Sequence, residues 1–306
     1  MCGRFSQNFQ APDLAAFFEA LGVPDQWESH FNLAPTQSVA VVRAKPPAPP
    51  AAATPTPTPG NSTATVTPAA AAAARRRPEN SAGGDPLPRE LAFVHWGLIP
   101  AWAQDRAIAS KLFNARSETA AQKPSFRDAF AHRRCIVPAN CFYEWRRQRG
   151  PHDEKQPLLI CRRDRRPLAL AGLWERWQAP EGVQVESCSI LTTAANRYLK
   201  PIHDRMPVIL EAADFSRWID PTTPLPAIQA LCTPCPDTTL TAFPVAMRVN
   251  SVRNDDASLL ESTGDESTWQ NAPTQTPDAP SPHPQTARPG RRRASPDDPT
   301  GQGRLF

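Results

Sequence analysis

The stretch "RCIVPANCFYEW" (134–145) is dense in β-favouring Ile, Val, Phe, Tyr and Trp, and it reads as a short β-rich run. Runs of the same kind recur around it: "PLLICRR" (157–163), "LALAGLWERW" (168–177), "ESCSILTTAA" (186–195) and "RMPVILE" (205–211). Turn residues separate them at intervals of roughly 10–15 residues, the rhythm of strands joined by short connections. Upstream, "SVAVVRA" (38–44) and "ELAFVHWGLIP" (90–100) read as two more strands, the second bounded by Pro100. They form a hairpin whose loop has swollen, which is tolerable because loop-closure entropy grows slowly with length. Helical patterning is scarce. "PDLAAFFEALG" (12–22) aligns Leu14, Phe17, Phe18 and Leu21 on one stripe with Gly22 as its end, and 124–133 and 214–220 are short helices. Strands dominate without βαβ alternation, which predicts an α+β fold: a single domain with an antiparallel-rich, barrel-like β-sheet core and flanking short helices.

Proline divides the 306-residue chain: of its 37 prolines, eleven fall in 46–88 and eight in 273–299, so half sit in two tracts. Both tracts are rich in Ala, Thr, Ser and Gly and lack apolar periodicity. Such composition cannot bury enough apolar surface to offset chain entropy, so both read as disordered. The expected organisation is therefore one domain over 2–260, interrupted by a 46–88 insertion, and a disordered tail over 262–306.

The formal charge of +4 is locally clumped, with "HRRC" (132–135), "EWRRQRG" (144–150) and "CRRDRRP" (161–167) beside Trp-rich runs. A basic cluster is usually a solvated face, but arginine mixed with aromatics also suits single-stranded nucleic acid. No run approaches the ~20 apolar residues of a membrane helix, and with no basic-then-apolar pattern in the opening residues no signal peptide is expected. Seven irregularly spaced cysteines then read as free thiols of a reducing cytoplasm. Cys232 and Cys235 form the single C-x-x-C; with no second pair nearby, two incidental cysteines outweigh a zinc site, and no metal or cofactor is expected.

The chain opens "MCGRF". Removal of Met1 gives Cys2 an α-amine and a thiol on one residue. An α-amine with a reference pKa of ~7.7–8.0 is far more available near neutrality than a lysine at ~10.4. It attacks an aldehyde to give an imine, and the adjacent thiol closes a five-membered thiazolidine. Polar residues embedded in apolar or turn-like sequence stand out further along: Asn114 in "LFNARSET", Glu144 between Tyr143 and Trp145, and His203 before the strand at 206–210. Each alone has a structural explanation.

Together with Met1-Cys2-Gly3-Arg4, the segments Trp96-Gly97-Leu98-Ile99-Pro100 with Trp102, Asn114-Ala115-Arg116-Ser117-Glu118, Phe142-Tyr143-Glu144-Trp145 and His203-Asp204-Arg205-Met206-Pro207 form an ordered set. The set resembles the SRAP family, proteins that crosslink to abasic sites in DNA. Cys141 departs from it, since the family's motif usually has glycine there. The resemblance implies a DNA-repair protein that senses abasic sites in single-stranded DNA and forms a covalent DNA–protein crosslink, with lyase-type covalent chemistry and an autopeptidase activity on Met1. A host aminopeptidase would serve Met1 removal equally well. It further implies Cys2, Asn114, Glu144 and His203 as catalytic residues. Cys2 supplies both nucleophiles, Glu144 accepts the ammonium proton, His203 acts on the sugar oxygen and Asn114 holds the adduct. Arg4, Arg116 and Arg205 adjoin motif residues and are the expected phosphate contacts. Trp96 and Trp102 either stack on bases or belong to the core.

Two other classes compete. Class II glutamine amidotransferases also begin Met-Cys-Gly, but they need an Asn-Gly pair that this chain lacks. A non-catalytic single-stranded DNA binding module would retain DNA reversibly and without Cys2. The last five residues, Gln302-Gly303-Arg304-Leu305-Phe306, resemble the short peptide by which bacterial repair proteins dock on the sliding clamp, with Gln302, Leu305 and Phe306 as the contacts. The chain is expected to be a cytoplasmic monomer, nucleoid-associated when bound to DNA.

Overall fold

A computed structural model describes residues 2–22, 27–45, 87–147 and 155–267. Thirteen strands are present among them: β1 (Phe5–Gln7), β2 (Ala20–Leu21), β3 (His30–Leu33), β4 (Ser38–Ala44), β5 (Arg89–Trp96), β6 (Asn114–Arg116), β7 (Arg134–Ala139), β8 (Cys141–Arg147), β9 (Lys155–Arg162), β10 (Leu168–Gln178), β11 (Gln184–Ala194), β12 (Arg205–Pro207) and β13 (Leu240–Pro244). The helices are short: α1 (Ala11–Phe18), α2 (Ser117–Ala120), α3 (Arg127–His132), α4 (Phe215–Ile219) and α5 (Leu225–Leu231).

Five strands close a barrel. β4 pairs with β5 and β7, β7 with β10, and β10 with β11, all antiparallel. A parallel contact of β11 with β5, at Ser187↔His95 and Cys188↔Trp96, completes the ring. A second sheet, in the order β13-β9-β8-β1-β3, supplies the other wall of the core. Successive side chains of a strand point to opposite faces, and the cores divide on that parity. Cys135, Val137 and Ala139 of β7 and Leu168 and Leu170 of β10 share one cluster with Phe5, Phe142, Leu158 and Ile160 of the second sheet. Ile136, Ala169, Ala171 and Leu173 face the other way, onto Leu14, Phe18, Phe130 and Trp218 of the helices. Strands buried on both faces read as continuous apolar runs, which is why their sequences lack clean alternation.

The expected α+β barrel with flanking helices is the observed architecture, and the β4–β5 hairpin is in register from Ser38↔His95 to Ala44↔Arg89. Lys45 N–H then donates to Pro88 O at 2.7 Å, closing the base of the insertion; residues 46–86 lie outside the described residues.

Local details differ. The run 134–145 is two strands, divided at Asn140 and assigned to different sheets. Helix α1 stops at Phe18 rather than Gly22, because Glu19 takes a left-handed conformation with φ 50°. Strand β5 stops at Trp96 rather than Pro100, where Gly97 turns the chain at φ 134°. Only 205–207 of the run 205–211 is strand, followed by an isolated bridge of Ile209 to Leu170. Just past residue 260, Ser262 bridges Val245, and Glu266 pairs with Arg163 at 3.0 Å. Residues 268–306 lie outside the described residues, and with them Gln302, Leu305 and Phe306.

Candidate active site

Strand β1 is only three residues long, yet it is anchored on several sides. It pairs with β3 and β8, and Gln7 reaches across to the barrel. Its amide nitrogen donates to Ala40 O (2.9 Å) and Pro138 O (2.8 Å), and its oxygen accepts from Ala40 N–H (2.9 Å). The anchored strand feeds Cys2 into the barrel-side core, where it is fully buried. Burial, and second the negative charge of Glu144, push the Cys2 thiol far above its ordinary range.

Three other segments of the chain lead to the same region. Asn114 opens β6, which runs parallel to β11, and its Nδ2 donates to Cys2 O at 2.7 Å. The Asn114 Oδ1 is buried and has no hydrogen-bond partner among the described residues. Glu144 lies two residues beyond Phe142 on β8, so strand parity turns it to the same face as Phe142 and Cys2. It is 6% exposed. Burial raises its carboxyl from the usual carboxylate range to about 7, and nearby Asp204 adds to the rise. His203 follows β11 and shares with Glu144 a cavity of about 560 Å³, lined also by Trp145, Lys155, Met247 and Asn250.

Two groups meet His203 Nδ1. Arg205 N–H donates to it at 2.9 Å, and an Asp204 carboxylate oxygen lies at 2.8 Å. A lone pair on Nδ1 satisfies the first and a proton there satisfies the second. The backbone donor decides, because the Asp204 side chain is 86% exposed and its attraction is weakened by solvent. Burial also lowers the imidazole's affinity for a second proton. His203 is thus neutral near pH 7 and carries its proton on Nε2.

The family model for SOS response associated peptidase (SRAP) matches residues 1–252. The chain belongs to the SRAP family. "Abasic site processing protein YoqW" of Bacillus subtilis (strain 168) is 42% identical over 173 residues, 56% of this chain and 76% of its own. "Abasic site processing protein HMCES" of Xenopus tropicalis is 33% identical over 193 residues, 56% of each chain. A crystal structure of a protein from Bordetella bronchiseptica superposes with a TM-score of 0.59 at 26% identity, over 80% of this chain and all of that one.

Around this candidate site the residues expected to touch nucleic acid fall into two groups. Trp96 belongs to the core: it is fully buried, lies 4.7 Å from the Phe5 ring and donates its indole N–H to Phe113 O at 2.9 Å. A base-stacking role for it is excluded by that burial. Trp102 is 58% exposed, and Arg116 is also exposed. Arg4 and Arg205 have internal partners. Arg4 donates to Asn32 Oδ1 (2.8 Å) and Val249 O (2.7 Å), tying the start of β1 to β3 and to the helical turn at 247–250. Arg205 forks onto both carboxylate oxygens of Glu118, at 2.6 and 2.9 Å, and onto Thr192 O.

The arginine clumps are structural in large part. Arg134 is buried, Arg133 pairs with Glu175, and Arg162 with Asp164 and Glu211. Sequence reading missed Lys155, Met247 and Asn250 at the cavity. They come from the start of β9 and from one helical turn at 247–250, and nothing local marks them. Trp145, whose indole N–H donates to Asn250 Oδ1 at 2.7 Å, was visible as a motif member. Among the described residues no group of three His, Cys, Asp or Glu side chains is placed to hold a metal, and no helix is long and apolar enough to cross a membrane.

Proposed function

We propose that this SRAP protein captures abasic sites in single-stranded DNA as a covalent thiazolidine on Cys2, after removal of Met1. The observation that carries the reading is a chain of contacts between four separate segments: Asn114 bonds the Cys2 carbonyl, the Glu144 charge acts on the Cys2 thiol, and Glu144 shares a cavity with His203. The amine acts first. Glu144, with a carboxyl titrating at about 7, takes a proton from the α-ammonium, whose reference pKa is close by at ~7.7–8.0. The free amine attacks the aldehyde carbon of the ring-opened sugar, and water leaves to give the imine. The Cys2 thiol, kept protonated by burial, then adds its sulfur to the imine carbon while its proton passes to the nitrogen. His203 offers its Nε2 proton to the sugar oxygen as the closed hemiacetal opens. The unpartnered Oδ1 of Asn114 accepts a hydrogen bond from the amine or a sugar hydroxyl; leaving a buried acceptor unpaired costs about 1–3 kcal/mol.

The sugar must leave any duplex to reach this position, which favours single-stranded DNA. Exposed Arg116 and Trp102 are suited to a flanking phosphate and base. Self-removal of Met1 belongs to the same reading, with Glu144 and Cys2 acting on the Met1–Cys2 bond. The test is a denaturing gel of the protein with uracil-containing single-stranded DNA, with and without uracil glycosylase. A shifted band is expected only with the glycosylase and is abolished in Cys2→Ala. Absence of the band with the native protein refutes the proposal.

A further inference from the structure

The second sheet has a face turned away from Cys2 and Glu144, and a cavity of about 300 Å³ opens on it, with Cys141, Cys161, Arg165 and Phe243 among its lining residues. The β8–β9 ladder pairs Tyr143 with Leu159 and Phe142 with Ile160. Phe142↔Ile160 is the last pair of that ladder, and carrying its register one residue further sets Cys141 opposite Cys161. Both belong to one buried cluster on that face. Residues directly opposite in an antiparallel pair have Cα atoms about 4.5 or 5.5 Å apart, and both spacings lie within the ~4.4–6.8 Å that a disulfide requires.

We infer that Cys141 and Cys161 form a cross-strand dithiol that hydrogen peroxide, entering through this cavity, converts to a disulfide. The other thiols are not so placed. Cys135 and Cys188 lie on β7 and β11 with β10 between them, which puts them about 8–10 Å apart. Cys232 and Cys235 pack in different clusters.

The two sulfurs have distinct surroundings that order the reaction. A guanidinium nitrogen of Arg165 lies 3.4 Å from Cys161 Sγ, while Cys141 Sγ lies 3.1 Å from Ser6 Oγ. Burial raises both thiols, Cys141 to about 12, but Arg165 and then Arg163 pull Cys161 back. Cys161 therefore supplies the first nucleophile. Its sulfur attacks peroxide, the O–O bond breaks, and the departing hydroxide takes the thiol proton as water, leaving a sulfenic acid. The Cys141 sulfur then displaces the sulfenic oxygen, which leaves as a second water with the Cys141 proton. Two electrons pass from the two thiols to one peroxide. The access route selects a small oxidant, since the side chains are almost wholly buried.

Cys141 stands where the resembled motif usually has glycine. Its disulfide joins the strand that carries Glu144 to its neighbour, on the face opposite the catalytic one. The chemistry uses none of the groups assigned to DNA capture and is tested separately from it.

The experiment treats the full chain with graded hydrogen peroxide, blocks free thiols, and digests it without reductant for mass spectrometry. The expected product is a Cys141–Cys161 linked peptide two hydrogens lighter than its parts, with a rise in Tm of roughly 5–10 °C from closing that loop. Both changes vanish in Cys161→Ser and Cys141→Gly; Cys141→Ser serves if the glycine variant is unfolded. Sulfinic or sulfonic acid at either position without the linked peptide, linkage between other cysteines, or full alkylation of both thiols after peroxide overturns the proposal.

Discussion

Glu144 is the residue in which burial and chemistry meet most directly. Its place between two aromatics in a strand was plain in the sequence, but that place suits an exposed glutamate equally well. Parity with Phe142 decides the matter, and parity depends on which sheet face is covered. Its carboxyl titrates at about 7 against an ordinary value of 4.5. The folded state therefore holds the proton more tightly than the unfolded chain does. Stability from this group is fully present below pH 4.5, falls as pH rises toward 7, and levels off above it. The loss is at most about 3.5 kcal/mol, from ~1.4 kcal/mol per pKa unit. Glu144→Gln removes the titration, so its Tm relative to the wild type should climb between pH 4.5 and 7 and then stay constant. In the crosslinking reaction the same variant should lose the rate increase centred near pH 7 while keeping the one due to the α-amine near 8. A Tm difference that is flat with pH would mean the carboxyl is already ionised in the folded protein.

At the level of elements, the sequence located the long strands well and their ends poorly. The runs at 38–44, 157–163, 168–177 and 186–195 are strands β4, β9, β10 and β11 within a few residues. The two-residue β2 and three-residue β1 and β6 were illegible as elements, because tertiary pairing and not propensity makes them strands. Two of these, β1 and β6, position Cys2 and Asn114, so the site was legible as chemistry and not as geometry. Gly97 is the joint between the barrel and the loop carrying Trp102. With φ at 134° it occupies a conformation that side chains rarely adopt, and an added Cβ would lie 2.6 Å from Ala109 O. Its N–H also donates to Cys188 O at 2.9 Å, beside the parallel contact that closes the ring. Gly97→Ala should therefore cost about 2–4 kcal/mol in urea unfolding, from backbone strain and overpacking together. A cost under about 0.5 kcal/mol would show that the loop relaxes freely.

For the whole molecule, the barrel class could be read from strand-rich spacing, but its closure could not. The closing β5–β11 pair is parallel and joins segments about ninety residues apart, with no local pattern to announce it. The arginine clumps were the other misdirection, since a formal charge of +4 says nothing about where each charge lies. Arg134 is the clearest case. It is buried at the start of β7, and its guanidinium ties the barrel to two helices at once. Nε donates to Trp218 O at 2.6 Å and a terminal nitrogen to Phe130 O at 2.7 Å and Ala131 O at 2.5 Å; the other terminal nitrogen reaches Asp220 O. These are carbonyls at the C-terminal ends of α3 and α4, which their own helices leave without donors. Arg134→Met keeps much of the apolar stem and removes every one of these bonds. The variant should lose about 3–5 kcal/mol, the scale of breaking a buried charged network. Arg134→Lys should recover little, because a single ammonium cannot span two helix ends as the planar fork does. Equilibrium urea unfolding of the three proteins measures this directly. If lysine restored most of the stability, the clamp would be acting through charge alone, and the geometry of the fork would not be what holds the helices to the barrel.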